Sequence, residues 1–440
     1  MKQSRTYPIA TITKKATRAL KDGFNWVYAD EVIKIEARDK TVRTVENASL
    51  VDVCEENGTY RGTAFLSQNS AIRLRMVSTN ANDRFDEAFW KRRIMWAWQY
   101  RVSCMKEQSL PHTDDTHCCR VIFSEADGIP GLIVDRYESV LVCQITTVGV
   151  DRIKDLLYRL VVEVLHEAGE DIRALYERCD SPVRTKEGLT LYKGWYTKLA
   201  PALSVPTSSQ LIMHENGIAF SVDVENSQKT GFFLDQKYNR RAIRSICAGK
   251  RVLDCFSHVG PFALNAAVAG AKTVRAVDIS ELALKLAQEN ARLNHVEHIV
   301  HCSCADVLDY LRKLEQDKNY AHAEGGPFDV IILDPPAFTK SRSTISSAMR
   351  GYKEINYHAM KLLPRGGYLA TCSCSHFMST KLLQDVLRSA AQQAQVTLKQ
   401  IEARQQACDH PIIWGMPETH YLDFFHLSNY LARLNGYMRT

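Results

Sequence analysis

Cys374 closes the run Thr371-Cys372-Ser373-Cys374-Ser375-His376 after the apolar stretch GGYLA, and Asp334 opens Asp334-Pro335-Pro336-Ala337-Phe338 after FDVIIL. A thiol and a carboxyl at two strand ends can make a poor carbon nucleophile react. Carbon 5 of cytosine is such a nucleophile. Addition of a thiolate at carbon 6, with an acid or donor near ring nitrogen 3, yields an enamine that accepts a methyl group. A base then takes the carbon-5 proton and the thiol leaves. In this chemistry Cys374 is the expected nucleophile and Asp334 its partner. Cys372, deeper in the strand, reads as an inert neighbour or a reserve thiol. The two prolines hold an extended backbone with no competing N–H after Asp334. The Asp-Pro-Pro-x-Phe pattern also suits methylation of an exocyclic amine on guanine or adenine, where the aromatic stacks on a flipped base. That alternative stays open on the motif alone.

A second constellation lies upstream. Asp254, Asp278 and Asp306 end three successive apolar stretches, VLD, TVRAVD and HIVHCSCAD. Ligands of open α/β sheets bind where the carboxyl ends of the strands form a crevice. Gly260 allows close backbone approach in the first turn, and Pro261 starts a helix where its missing N–H costs nothing. The turn Phe256-Ser257-His258-Val259-Gly260 is not G-x-G-x-x-G, which favours a cofactor without phosphate over a dinucleotide. Asp278 is placed for ribose hydroxyls and Asp306 for the edge of an adenine. Each acid alone reads equally as a cap, and Asp278-Ile279-Ser280 can cap the helix that begins at Glu281. Upstream, QKTGFFLDQ (228–236), with Asp235 and Gln236, precedes the basic helix KYNRRAIRSI and suits a lid over one end of the cofactor.

The elements that must position these residues follow from periodicity. From about residue 249, apolar strands alternate with amphipathic helices, which predicts a parallel sheet with helices on both faces. Residues 8–78 read as short strands, with a hairpin at Asn57-Gly58. Residues 84–107 have helical spacing of Phe85, Phe89, Ile94 and Trp98 beside the basic Lys91, Arg92 and Arg93, a solvated face or an RNA contact. Strands around the helix DRIKDLLYRLVVEVLHEAG predict a small α+β unit continuing to about residue 200. The last residues, SNYLARLNGYMRT, read as a helical or frayed tail.

With 440 residues, 45% hydrophobic and 24% charged, the chain is expected to be a soluble protein of two or three domains. No apolar run reaches the roughly 18–20 residues that span a bilayer, and the N-terminus lacks the apolar segment of a secretory signal. A cytoplasmic location without a membrane partner is expected. The net charge of +6 permits a polyanionic partner without requiring one. The thirteen cysteines show no CxxC and no zinc-finger spacing. His117-Cys118-Cys119 and His301-Cys302-Ser303-Cys304 are the local clusters; no metal and no disulfide is expected. Cys54, Cys143 and Cys247 sit in apolar segments as small hydrophobes.

Taken together, EADGIPGLIVDRY, QKTGFFLDQKYNRR, VLDCFSHVG, DPPAF, RGYKEIN and TCSCSH resemble the ribosomal RNA large-subunit methyltransferase I family, whose members make 5-methylcytosine. The resemblance runs through most of the chain. It implies an α/β fold with three parts: a PUA-like RNA-binding β-barrel at 1–80, a central α+β domain at 81–200, and a Rossmann-like class I methyltransferase domain at 201–440. It also implies S-adenosyl-L-methionine as cofactor and large-subunit ribosomal RNA as partner, and it is compatible with a homodimer. Position by position, it makes Cys374 the nucleophile with Asp334 at the base. It places the cofactor near Asp235, Gln236, Asp254, Phe256, Gly260, Asp278, Asp306 and Asp334. Pro336 stands where other RNA 5-methylcytosine enzymes carry a second cysteine. Ser257-His258-Val259-Gly260-Pro261 replaces the commoner S-Y-T-G-G, and Ser227 replaces a glycine. Arg350, Tyr352 and Lys353 are candidate RNA contacts. A different class, an RNA-binding assembly factor with an inactive catalytic fold, is distinguished by failure to bind the cofactor.

Overall fold

The computed structural model describes residues 5–39, 41, 44–226, 230–339 and 341–432. Ser227 lies outside the described residues, as do Gln228 and Lys229 at the start of the expected lid. The chain divides into two compact units. One comprises residues 1–213, 222–234 and 408–419; the other comprises 214–221, 235–407 and 420–440.

In the first unit, a six-stranded sheet has the strand order Trp26–Tyr28, Ile72–Ser78, Tyr60–Leu66, Leu50–Glu55, Ile9–Ile12, Val32–Glu36. The Asn57-Gly58 turn joins two antiparallel strands as expected; Gly58 has φ +82° and Asn57 Oδ1 accepts from Thr59 N. The sequence reading had no helix here, yet Lys14–Lys21 is one, capped by Thr13 through Ala16 N. Ala10, Val27, Val51 and Leu74 form the core of this sheet. A five-stranded sheet follows, in the order Tyr192–Trp195, Ala174–Cys179, Val140–Ile145, Leu132–Tyr137, Cys118–Phe123. Helices Glu87–Lys106 and Lys154–Glu167 bury Phe89, Ile94, Trp98, Leu157 and Val161 against it. Of Lys91, Arg92 and Arg93 on the first helix, two are in ion pairs: Lys91 with Glu167 at 2.6 Å and Arg92 with Asp83 at 3.8 Å.

The second unit is built on a seven-stranded sheet in the order Val300–Cys304, Thr273–Asp278, Arg251–Cys255, Val330–Leu333, Tyr368–Ser373, Asp423–Ala432, Val396–Gln405. The first five strands are parallel, as the alternation predicts. Asp423–Ala432 runs antiparallel to both its neighbours, which corrects the expectation of a wholly parallel sheet. It also corrects the tail: residues 428–432 are the end of a strand. Alternate residues face opposite layers. Leu253, Ile331 and Leu369 pack on helices Ile345–Leu362 and Thr380–Ala394, while Val252, Val330 and Ala370 pack on helix Pro261–Val268.

Cys54, Cys143 and Cys247 are buried, as their apolar segments predict. Among the described residues, no helix is long and apolar enough to cross a membrane, and no group of three metal-ligating side chains is found.

Candidate methyl-transfer site

Strand Arg251–Cys255 delivers Asp254 to the sheet's carboxyl edge, where it is 1% exposed. Its Oδ2 accepts from Ala263 N at 2.9 Å, tying the strand to the first turn of helix Pro261–Val268. Burial pushes its carboxyl well above the usual range, and Asp334 and Asp278 add to the shift. The intervening turn has three left-handed residues, Phe256 (φ +61°), His258 (φ +50°) and Gly260 (φ +84°). Only at Gly260 does the turn require a missing side chain. A Cβ there would lie 2.8 Å from Leu264 Cδ1 and 3.1 Å from Ala287 Cβ.

Asp278 stitches two loops together. Its Oδ2 accepts from His258 N and its Oδ1 from Ser280 N, each at 2.9 Å. The cap of helix Glu281–Leu293 is Ser280 rather than Asp278. At Asp306 the capping reading describes the geometry: its Oδ1 accepts from Asp309 N at 3.1 Å. Asp254, Asp278 and Asp306 thus stand at three successive strand ends, each with a backbone N–H donating to it.

Asp235 and Gln236 are buried, and Gln236 bears directly on Asp334. Gln236 Nε2 donates to Asp334 Oδ1 at 2.9 Å, while its own Oε1 accepts from Asn239 Nδ2 at 2.7 Å. Asp235 Oδ2 accepts from the Tyr421 hydroxyl at 2.8 Å, and its backbone carbonyl accepts from Ala407 N. Burial pushes the Asp334 carboxyl up to about 6, with Asp235 contributing to the rise and Arg240 and the Gln236 hydrogen bond opposing it. Arg240 is itself held by a buried bidentate pair with Glu215, both contacts 2.7 Å. Sequence reasoning missed Asn239 and Tyr421. Asn239 had a signal, since it lies three positions after Gln236 on a turn that becomes helical. Tyr421 had none.

Strands Val330–Leu333 and Tyr368–Ser373 are parallel neighbours, with Leu333 opposite Thr371, so the segments beyond them emerge side by side. Two contacts fasten them: the Cys374 thiol lies 3.6 Å from the Pro335 carbonyl, and Ser375 Oγ donates to the Thr339 carbonyl at 2.9 Å. Ser373 Oγ donates to the Tyr352 hydroxyl on helix Ile345–Leu362 at 3.2 Å. Cys374 is partly exposed and Cys372 wholly buried. Burial pushes the Cys372 thiol well above its ordinary value, with Asp334 contributing. A thiol kept protonated in this way is a poor nucleophile.

Phe338 is packed: its ring lies 4.7 Å from Tyr352 and 6.4 Å from Phe256, and a Cβ on Gly351 would meet it at 3.2 Å. Tyr352 is 0% exposed, which corrects its expectation as an RNA contact; it is a wedge beneath Phe338 and Ser373. Arg350 is exposed and Lys353 half-buried on the same helix.

Known proteins share this architecture. A family model described as S-adenosylmethionine-dependent methyltransferase matches residues 202–413, and one described as PUA-like domain matches residues 10–79. A protein of Shewanella amazonensis called ribosomal RNA large subunit methyltransferase I is 38% identical over 90% of this chain and 93% of its own length. A protein of the same name from Erwinia tasmaniensis is 36% identical over 91% of this chain and 94% of its own. Among solved structures, a SAM-dependent methyltransferase from Streptococcus mutans superposes with a TM-score of 0.75 at 19% identity, covering 96% of this chain and 99% of that one. Another, a methyltransferase complexed with SAH, has the same TM-score at 20% identity, with the same coverage.

Proposed function

The chain belongs to the ribosomal RNA large subunit methyltransferase I family, and from that premise we propose that it forms 5-methylcytosine in large-subunit ribosomal RNA. The coarser activity, S-adenosylmethionine-dependent methylation of ribosomal RNA, comes with the family. The finer reading is carried by one observation: a partly exposed thiol, Cys374, 3.6 Å from the carbonyl of the residue that follows Asp334.

S-adenosylmethionine supplies the electrophilic methyl group. The residues present fit it. The glycine-opened turn offers backbone rather than a phosphate cradle, and the buried Ser257 hydroxyl has no partner among the described residues. In this reading Phe256, Gly260, Asp278 and Asp306 border the cofactor, Asp254 holds the turn beneath it, and Asp235 and Gln236 hold Asp334 at the junction with the base. The Cys374 thiolate adds to carbon 6 of cytosine. Asp334, with its carboxyl raised to about 6, keeps a protonated fraction near neutral pH and donates to ring nitrogen 3. Carbon 5 then carries the electron density that takes the methyl group. Loss of the carbon-5 proton to a base expels Cys374, and the nitrogen-3 proton returns to Asp334. RNA binding is assigned to the PUA-like residues 1–80, joined through residues 81–200 to the catalytic part at 201–440.

The test is Cys374→Ala. The expected result is loss of turnover on ribosomal RNA with S-adenosylmethionine binding retained in calorimetry, and loss of the protein–RNA adduct in mass spectrometry. Full activity of the variant overturns the cytosine reading, as does a methylated guanine or adenine amine in the digested product.

A further inference from the structure

Away from the methyl-transfer site, the first unit encloses a cleft of about 430 Å³, within the range of small-ligand sites. Helix Glu87–Lys106 forms one wall with Arg93, Trp96 and Tyr100; Asn25, Ser78 and Glu125 line the others. The helix buries Trp90 and Trp98 in the core, yet leaves Trp96 50% and Tyr100 42% exposed, one helical turn apart at this opening. Large aromatic faces left to solvent at the rim of a cavity signal binding rather than packing.

Arg93 is the second, independent feature. It is half-buried, and desolvation holds its guanidinium below its ordinary value. Among the described residues its hydrogen bond goes to the Val77 carbonyl at 3.3 Å, and it has no carboxylate within ion-pair distance. Its neighbours are differently placed: Arg101 is paired with Asp127, and Arg75 with Glu125 and Glu187. A guanidinium offers five N–H donors in a fixed fork. Arg93 therefore pays for desolvation with most of its donors unspent. Its centre lies 6.0 Å from the Trp96 ring, so donor fork and aromatic face serve one space.

A flat ligand with an aromatic face and two adjacent acceptors on one edge matches that pairing, and guanine O6 and N7 are the edge that arginine reads bidentately. RNA recognition relies on unpaired bases stacked on aromatic rings and hydrogen-bonded along their edges. We propose that this cleft is an RNA-binding subsite for one unpaired nucleotide, its base stacked on Trp96 and Tyr100 and its acceptor edge turned to Arg93.

The inference rests on ribosomal RNA being the substrate, and the experiment separates the two. Full-length protein is titrated into fluorescently labelled single-stranded oligoribonucleotides, one rich in guanosine and one of uridine alone, with binding read by anisotropy at fixed salt. Trp96→Ala is expected to weaken binding of both by about 5- to 100-fold, the span measured for loss of one stacked base. Trp96→Phe keeps most of it. Arg93→Gln removes the preference for the guanosine oligonucleotide. Circular dichroism melts that match the parent show all three variants folded, and calorimetry shows that S-adenosylmethionine binding is retained. A parent that methylates ribosomal RNA, beside a Trp96→Ala variant that binds both oligonucleotides equally well, overturns the subsite alone. A parent that neither binds the oligonucleotides nor methylates ribosomal RNA overturns the proposed function along with it.

Discussion

At the residue scale, the raised carboxyl of Asp334 has a measurable consequence for stability. Its value of about 6 in the fold lies above the ordinary 3.8, so the native state holds this proton more tightly than the unfolded chain. The associated stability is complete below about pH 4 and is lost as pH rises through 6. Asn carries no charge at any pH. Asp334→Asn is therefore expected to match the parent near pH 4 and to exceed it by up to about 3 kcal/mol at pH 7.5, while turnover falls. Denaturant unfolding at the two pH values reads this directly, and a variant less stable at pH 7.5 refutes the assignment. The two thiols separate in the same manner. Cys372→Ala deletes a wholly buried group and is expected to cost about 1 kcal/mol while still forming the RNA adduct; Cys374→Ala forms none. An adduct that survives in Cys374→Ala and vanishes in Cys372→Ala exchanges their roles. The placement of Asp334 and Cys374 just beyond neighbouring strands could be read from the sequence because each follows an apolar run. Tyr421 could not, because its contact with Asp235 joins residues 186 apart. Tyr352 was misplaced because Arg350 and Lys353 beside it suggest a wet surface, whereas the helix turns its ring inward beneath Phe338.

At the element scale, the turn from strand Arg251–Cys255 into helix Pro261–Val268 was legible in one respect and hidden in another. Gly260 and Pro261 announce the break, and the glycine does take a left-handed conformation. The positive φ of Phe256 is carried by a residue type that does not favour it; the surrounding hydrogen bonds, among them Ala263 N to Asp254 and His258 N to Asp278, hold the turn. Gly260→Ala tests the turn. The left-handed backbone alone costs a side chain about 1–2 kcal/mol, and the added Cβ must displace Leu264 and Ala287. Weakened S-adenosylmethionine affinity and a lowered Tm are expected together. A Gly260→Ala variant with parental affinity places the cofactor elsewhere. The end of the final strand, residues 428–432 of Asp423–Ala432, reads as a tail because the apolar alternation FFHLSNYLA has helical spacing as well. Pairing with Tyr368–Ser373 on one edge and Val396–Gln405 on the other decides in favour of strand, which is tertiary information that local spacing lacks.

At the scale of the whole molecule, the chain makes two units, each with hydrophobic clusters of its own. The chain passes between them more than once, because residues 408–419 belong to the first unit although the segments on either side belong to the second. Sequence order concealed this: alternating strands and helices predict neighbours along the chain, and a short excursion without regular apolar spacing gives no sign of where it packs. The excursion is anchored by Asp409, whose carboxylate accepts from Arg120 N at 2.9 Å and whose carbonyl accepts from Arg101 at 3.0 Å. Every residue assigned to S-adenosylmethionine lies in the second unit. A ligand that binds only folded protein stabilises it by about 2.7 kcal/mol at a hundredfold excess over its dissociation constant. That free energy reaches only those amides whose exposure requires the binding unit to open. Hydrogen exchange with saturating S-adenosylmethionine is therefore expected to slow the core amides of Arg251–Cys255 and Val330–Leu333 by about 100-fold, leaving those of Leu132–Tyr137 and Val140–Ile145 unchanged. Equal slowing in both sets would mean that the shared chain crossings make the two cores open as one. Slowing confined to the first unit would remove the cofactor from the seven-stranded sheet altogether.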